Sequence, residues 1–265
     1  METTLAFELI SAAPVNVMSR FKAAGIHFAI SLVTAVAVLI LMLNVWYPQP
    51  YFEAVGGEAL LLLIIGVDVT LGPLITLIIF DLKKKSLKFD LAVIAIIQIL
   101  ALCYGVYAML QARPVYTVFV KDHFEVVTAN EIEDEQLAKV KRPEFKALPI
   151  AGPVFVGAVE PTDTKEREYL ATGAMFGMDL QFFPQYYHAY SEVQANVLTH
   201  ARPLAVLERN NPSGFKEIEA ALVQMKKSPQ NVLFVPCDSK RQKMTVLVDA
   251  QTGKIVKMFP VRPAV

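Results

Sequence analysis

The chain has 265 residues, 54% of them hydrophobic, with 25 basic and 25 acidic side chains that cancel to no formal net charge. A soluble domain is usually about 45–50% apolar, so part of this sequence needs an apolar environment beyond a core. Zero net charge excludes a global field suited to nucleic acid or an acidic partner, and two distant cysteines, Cys103 and Cys237, exclude a disulfide framework or a cysteine metal site.

The apolar excess lies almost entirely before Arg113. A helix crossing a bilayer core of roughly 30 Å needs about 20 apolar residues, and three stretches meet that length: 23–45, 59–80 and 91–110. The first and third carry no charge, and the second carries only Asp68. Orientation follows from the basic flanks. Arg20 and Lys22 precede the first span, and Lys83, Lys84, Lys85 and Lys88 follow the second, whereas the connection 46–58 has no Lys or Arg. The expected arrangement is therefore a cytoplasmic segment 1–22, a three-helix transmembrane bundle over 23–110, and residues 111–265 outside. The first span is too long to read as a cleaved signal peptide. Trp46, Tyr47 and Tyr51 fall where an outer aromatic belt is expected.

The second span is unusual. Gly66-Val67-Asp68-Val69-Thr70-Leu71-Gly72-Pro73 occupies its middle, where a carboxylate costs about 2.5–3.5 kcal/mol on insertion scales. Asp68 should be neutral, paired, or turned to a polar crevice. Asp68, Gly72 and Thr76 recur every fourth residue and form a small, polar stripe that permits close helix approach. Pro73 has no N–H to offer the carbonyl of Val69, so a kink is expected just after Asp68. At similar depth, the first span offers Thr34 and the third offers Gln98 as internal partners. The other reading makes Asp68, Gly72, Pro73 and Thr76 a docking face for a partner's membrane helix. His27, Ser31, Asn44 and Tyr104 read as helix-contact or interfacial residues.

Beyond Arg113 and Pro114, Val115–Val120 reads as a strand, Lys121-Asp122-His123 as a turn, and Phe124–Thr128 as the returning strand. Asp163 with Glu166 opens a helix ending near Gly173, and Ser191 with Gln194 opens another. Asn211-Pro212 starts a third, with Phe215, Ile218, Leu222 and Met225 on one face. Val232–Val235 is a short strand, and Met244–Asp249 with Lys254–Phe259 form a hairpin. Strands, then helices, then strands suggest an α+β domain with an antiparallel sheet. Chemistry is sparse here. His123, His188 and His200 lack ligand spacing, and neither a phosphate loop nor a nucleophile elbow occurs. Phe182, Phe183, Tyr186, Tyr187 and Tyr190 form an aromatic cluster that reads either as core or as a protein-binding face.

Three segments together resemble the TfpX/TfpZ family of type IV pilin accessory proteins. They are Gly66–Pro73 with the lysine loop, Ala112-Arg113-Pro114-Val115-Tyr116 leading to Phe124-Glu125-Val126-Val127, and Val246-Leu247-Val248-Asp249-Ala250-Gln251-Thr252-Gly253. The resemblance implies a bacterial inner-membrane protein with a periplasmic domain that helps a cognate type IV pilin reach or persist in the pilus. It carries no catalytic residue, cofactor or metal. The expected function is chaperone-like, with the bundle holding the pilin helix and the outer domain its head. A membrane sensor and a pilin-modifying enzyme are the competing classes. The cytoplasmic parts have no room for an output domain, and an intramembrane aspartyl protease needs a second membrane carboxylate that the other spans lack.

Overall fold

The computed structural model describes residues 19–263. Among the described residues, three helices are long and apolar enough to cross a membrane: Arg20–Trp46, Gly57–Ile79 and Leu87–Ala112. Many of their apolar side chains face outward, among them Val33, Leu62, Ile78 and Leu100, as expected of helices solvated by lipid rather than water. The chain divides into two compact units. Of the described residues, one takes in 19–36 with Leu63–Cys103, and the other Ala37–Leu62 with 104–263.

In the first unit, α1 (Arg20–Leu41), α4 (Gly72–Ile79) and α5 (Leu87–Ala112) supply the helical walls. The middle of the second long helix is π-helical over Gly66–Leu71, between α3 (Gly57–Ile65) and α4, and the Gly72 N–H reaches back to the carbonyl of Val67. This wider stretch lies just before Pro73, next to where a kink is expected. The missing proline N–H frees a carbonyl in the preceding turn, and a wider turn re-registers the ladder around Asp68.

The second unit is built on an eight-stranded sheet, order β4-β3-β1-β2-β6-β7-β8, with β5 also pairing β6. The strands are β1 (Pro114–Val120), β2 (His123–Thr128), β3 (Val154–Ala158), β4 (Tyr187–Ala189), β5 (Arg202–Pro203), β6 (Val232–Asp238), β7 (Lys243–Asp249) and β8 (Ile255–Phe259). The sheet is mixed rather than purely antiparallel. β1 and β3 run parallel, as do β2 and β6, while the locally connected hairpins β1–β2, β6–β7 and β7–β8 are antiparallel. Parallel neighbours need long crossovers, here the chain from β1 through β2 and α6 (Asp134–Ala138) to β3, and residues 129–231 between β2 and β6.

Both faces of this sheet are covered, which explains why β1 is buried at every position. On one face Phe119, Phe124, Val235, Cys237, Met244 and Val246 pack with Val193 and Val197 of α8 (Tyr190–His200), and with Tyr51 and Ala54 of α2 (Tyr51–Ala54). On the other, α9 (Leu204–Asn210) and α10 (Pro212–Gln224) cover Phe234 and Leu247. Asn211 caps α10 through the Gly214 N–H, and Asp163 caps α7 (Thr164–Met175) through those of Lys165 and Glu166. Ser191 is not a cap, because α8 already begins at Tyr190.

Trp46, Tyr47 and Tyr51 are buried in this second unit instead of forming an aromatic belt. Each tyrosine hydroxyl has a protein partner: Tyr47 donates to the carbonyl of Met109 at 2.6 Å, and Tyr51 shares a bond with Thr117. A phenol with a fixed partner gains from burial what a belt tyrosine gains from the interface.

Candidate functional site

A cleft of ≈450 Å³ opens in the helical unit between α1, the π-helical stretch with α4, and α5. Its walls are mostly apolar, with His27, Ser31, Thr34, Asp68, Thr76 and Gln98 as the polar groups. Asp68 is 7% exposed, and its Oδ1 has no hydrogen-bond partner among the described residues. A buried carboxylate oxygen left unpaired costs more than the bond it forgoes, so this atom marks a place in the cleft where a donor group of a ligand would be stabilised.

The expected neighbours are arranged differently from the simple internal pairing. Thr34 donates its hydroxyl to the carbonyl of Ile30 at 3.0 Å, and Gln98 donates to the backbone oxygen of Asp68 at 3.3 Å, not to its carboxylate. Thr76 bonds His27 Nδ1 at 2.6 Å. A Cβ on Gly72 would lie 2.0 Å from Gln98 Nε2, so this glycine lets α5 approach. Gly72, Pro73 and Thr76 are all buried. Helix contacts within the unit thus use Gly72 and Thr76, and the cleft presents Asp68.

The aromatic cluster of the sheet unit divides by burial. Phe183 and Tyr187 are buried, and Phe182, Tyr186 and Tyr190 are half-buried. Tyr187 donates to the carbonyl of Gln181 and stacks edgewise on Tyr116 at 5.1 Å, while Tyr190 donates to the carbonyl of Gly253 at 2.6 Å. These contacts make the cluster core material with accessible edges. Larger exposed apolar side chains lie elsewhere, among them Met175 and Phe176 at the end of α7, 83% and 82% exposed. Sequence periodicity misses them because they end a helix whose apolar pattern is weak.

The parallel register of β2 on β6 sets Glu125 opposite Asp238 and brings His123 to both, with side-chain ligand atoms within 4.8 Å of one another. No sequence spacing could reveal a trio assembled across a crossover. Such a trio can attract a cation, and Lys243 already supplies one, its Nζ 2.8 Å from Asp238 Oδ2.

Comparison with known proteins supplies the context. Residues 15–56 match the family model described as fimbrial assembly protein FimB. The fimbrial assembly protein of serogroup E1 from Dichelobacter nodosus is 32% identical over 223 residues, spanning 83% of this chain and 86% of that protein. The serogroup I protein of the same organism matches to the same extent, and that of serogroups C1 and C2 is 39% identical over 118 residues, 44% of this chain and 90% of that one. No solved structure matches the chain. Similarity at this level over most of both chains places this protein in the family of fimbrial assembly proteins.

Proposed function

We propose that this chain is a non-enzymatic inner-membrane accessory protein of type IV fimbrial assembly, of the TfpX/TfpZ kind, that binds a cognate pilin. The three long helices cross the membrane with the N-terminus in the cytoplasm, and the sheet unit lies in the periplasm. The names of the relatives support a part in fimbrial assembly, and the lysines at 83–88 support the orientation. The observation that carries pilin binding is the unpartnered Asp68 Oδ1 in an apolar cleft among membrane helices. Its complement is an apolar helix bearing a donor or cationic group, with the amine of a processed pilin as the first choice. The exposed Met175–Phe176 tip offers a second, weak contact for the pilin head. Two linked weak contacts give avidity while each stays releasable.

The test is photocrosslinking from Ile99 or Leu102, which line the cleft, in cells expressing the pilin. Pilin adducts that Asp68→Asn and Asp68→Ala both reduce support the reading. Undiminished capture by both variants removes Asp68 from it. Surface pilin measured against total membrane pilin, in a strain lacking the gene and in its complemented parent, tests the assembly role itself. Unchanged amounts of both would end it.

A further inference from the structure

The segment between Pro149 and Gly152 is fastened at both ends to the termini of two of the long helices. The Arg113 guanidinium donates to the carbonyl of Leu110, in the last turn of α5, and through Nε to the carbonyl of Pro149 at 3.0 Å. The Gly152 N–H donates to the carbonyl of Val45, one residue before the first long helix ends, at 2.7 Å. Gly152 holds φ +51, and a Cβ there would meet Pro48 at 3.7 Å, so the clamp relies on a backbone conformation that favours glycine. Ile150 and Ala151 stand between these two clamps, and both are exposed, Ile150 by 71%. Val154, at the start of β3, adds 45% exposure to the same short stretch.

Helices that end at one membrane surface fix the level of whatever is bonded to their last turns. A residue one or two positions from each clamp lies within about 7 Å of it along the chain. Ile150 is therefore held at the outer membrane boundary, where an apolar side chain is better solvated by lipid than by water. We propose that the 149–152 loop is a membrane-interface anchor of the sheet unit, with Ile150 seated among the lipid headgroups and upper acyl chains. The occupant of this exposed apolar loop is the bilayer itself, because the loop is bonded to two membrane-crossing helices, through the Arg113 side chain at one end and the Gly152 N–H at the other. This inference rests on the membrane reading above.

The experiment uses the full chain, with Cys103→Ser, in vesicles of phosphatidylethanolamine and phosphatidylglycerol. An environment-sensitive fluorophore is placed on Ile150→Cys or, as a reference inside a span, on Ile97→Cys. Quenching by lipids spin-labelled near the headgroup and by aqueous iodide is then compared. A label at 150 lying about 5–10 Å into the boundary should lose about half its emission or more to the lipid quencher and resist iodide. If the label at 97 is quenched by lipid while that at 150 responds only to iodide, the anchor is overturned and the spans stand. If neither responds to lipid, the membrane reading fails with it.

Discussion

The phenol oxygen of Tyr51 lies 2.8 Å from the hydroxyl of Thr117, 66 residues away, and neither residue is more than 6% exposed. This bond joins the connection between the first two long helices to the middle of β1. Other contacts repeat the connection: the Ser239 hydroxyl and the Arg241 N–H both donate to the carbonyl of Ala54, and Arg241 pairs with Glu58 at 3.1 Å. The connection is thus a covering layer of the sheet. Removing one member strands a buried hydroxyl, at about 1–3 kcal/mol. Tyr51→Phe and Thr117→Val should each lower the unfolding temperature of the purified protein, by about 2–4 °C per kcal/mol lost. The double variant should cost clearly less than the two losses summed. Strict additivity would show that the pair contributes nothing as a pair.

A domain boundary at residue 111 leaves Tyr51 and Ala54 out of the core they cover. A fragment 111–265 exposes part of the layer over Phe119, Phe124 and Val246 and should be cleaved much faster by protease than the same region in the full chain. It should also bind a hydrophobic dye. A fragment that unfolds as cooperatively as the intact protein would mean that the 51–58 connection is dispensable.

The parts legible in the sequence were those whose signal is local. The three long helices follow from composition, and the β1–β2 and β7–β8 hairpins from runs of apolar residues flanking polar turns. The Asp163 and Asn211 caps follow from side chains that bond their own neighbours. The parallel pairings and β3 were not legible, because Val154–Ala158 is five residues whose partner strand lies more than thirty positions earlier. In the candidate site, Asp68 stood out because a charge in an apolar run is locally anomalous. Gly72 and Thr76 shared its helical face, and a face cannot tell a stranger's helix from the chain's own. Only the placement of Gln98 and His27 assigned them to internal contacts.

Gly157 shows how closely α8 lies on the sheet. A Cβ added there would come within 2.5 Å of Val193 Cγ1 and 2.9 Å of its Cβ, and Val193 is a stiff, β-branched residue. Gly157→Ala should destabilise the protein by about 1–3 kcal/mol through overpacking. Adding Val193→Ala should recover part of that loss, although Val193→Ala alone is itself destabilising. Denaturant titration of the four proteins checks this, and an unaffected Gly157→Ala protein would contradict the close approach.

Cys237 lies fully buried in the sheet core, where burial first, then the nearby Asp238 and Glu125 carboxylates, push its thiol well above the usual range. Thiolate is the reactive form, so Cys237 should resist a water-soluble maleimide in the folded protein and label fully in denaturant. In the Cys103→Ser variant, mass spectrometry should count one adduct after unfolding and none before. Rapid labelling in native buffer would place this strand outside a closed core.

His123 makes stability depend on pH. Its imidazolium sits beside Glu125, whose carboxylate is the larger influence, and Asp122, 3.0 Å from Nδ1, and together they raise its pKa from 6.5 to about 8 despite partial burial. Asp238 faces the same group but is offset by Lys243. Because the folded value exceeds the unfolded one, the stabilisation is complete below pH 6.5 and disappears as pH rises through 8. A shift of this size corresponds to about 2 kcal/mol at most, and solvent around the half-buried ring reduces it to about 1 kcal/mol. His123→Gln removes the titration while keeping a polar side chain. The stability difference between the native protein and this variant should therefore shrink by about 1 kcal/mol between pH 6 and pH 9. A difference that stays constant across that range would mean the carboxylates do not hold the proton on His123.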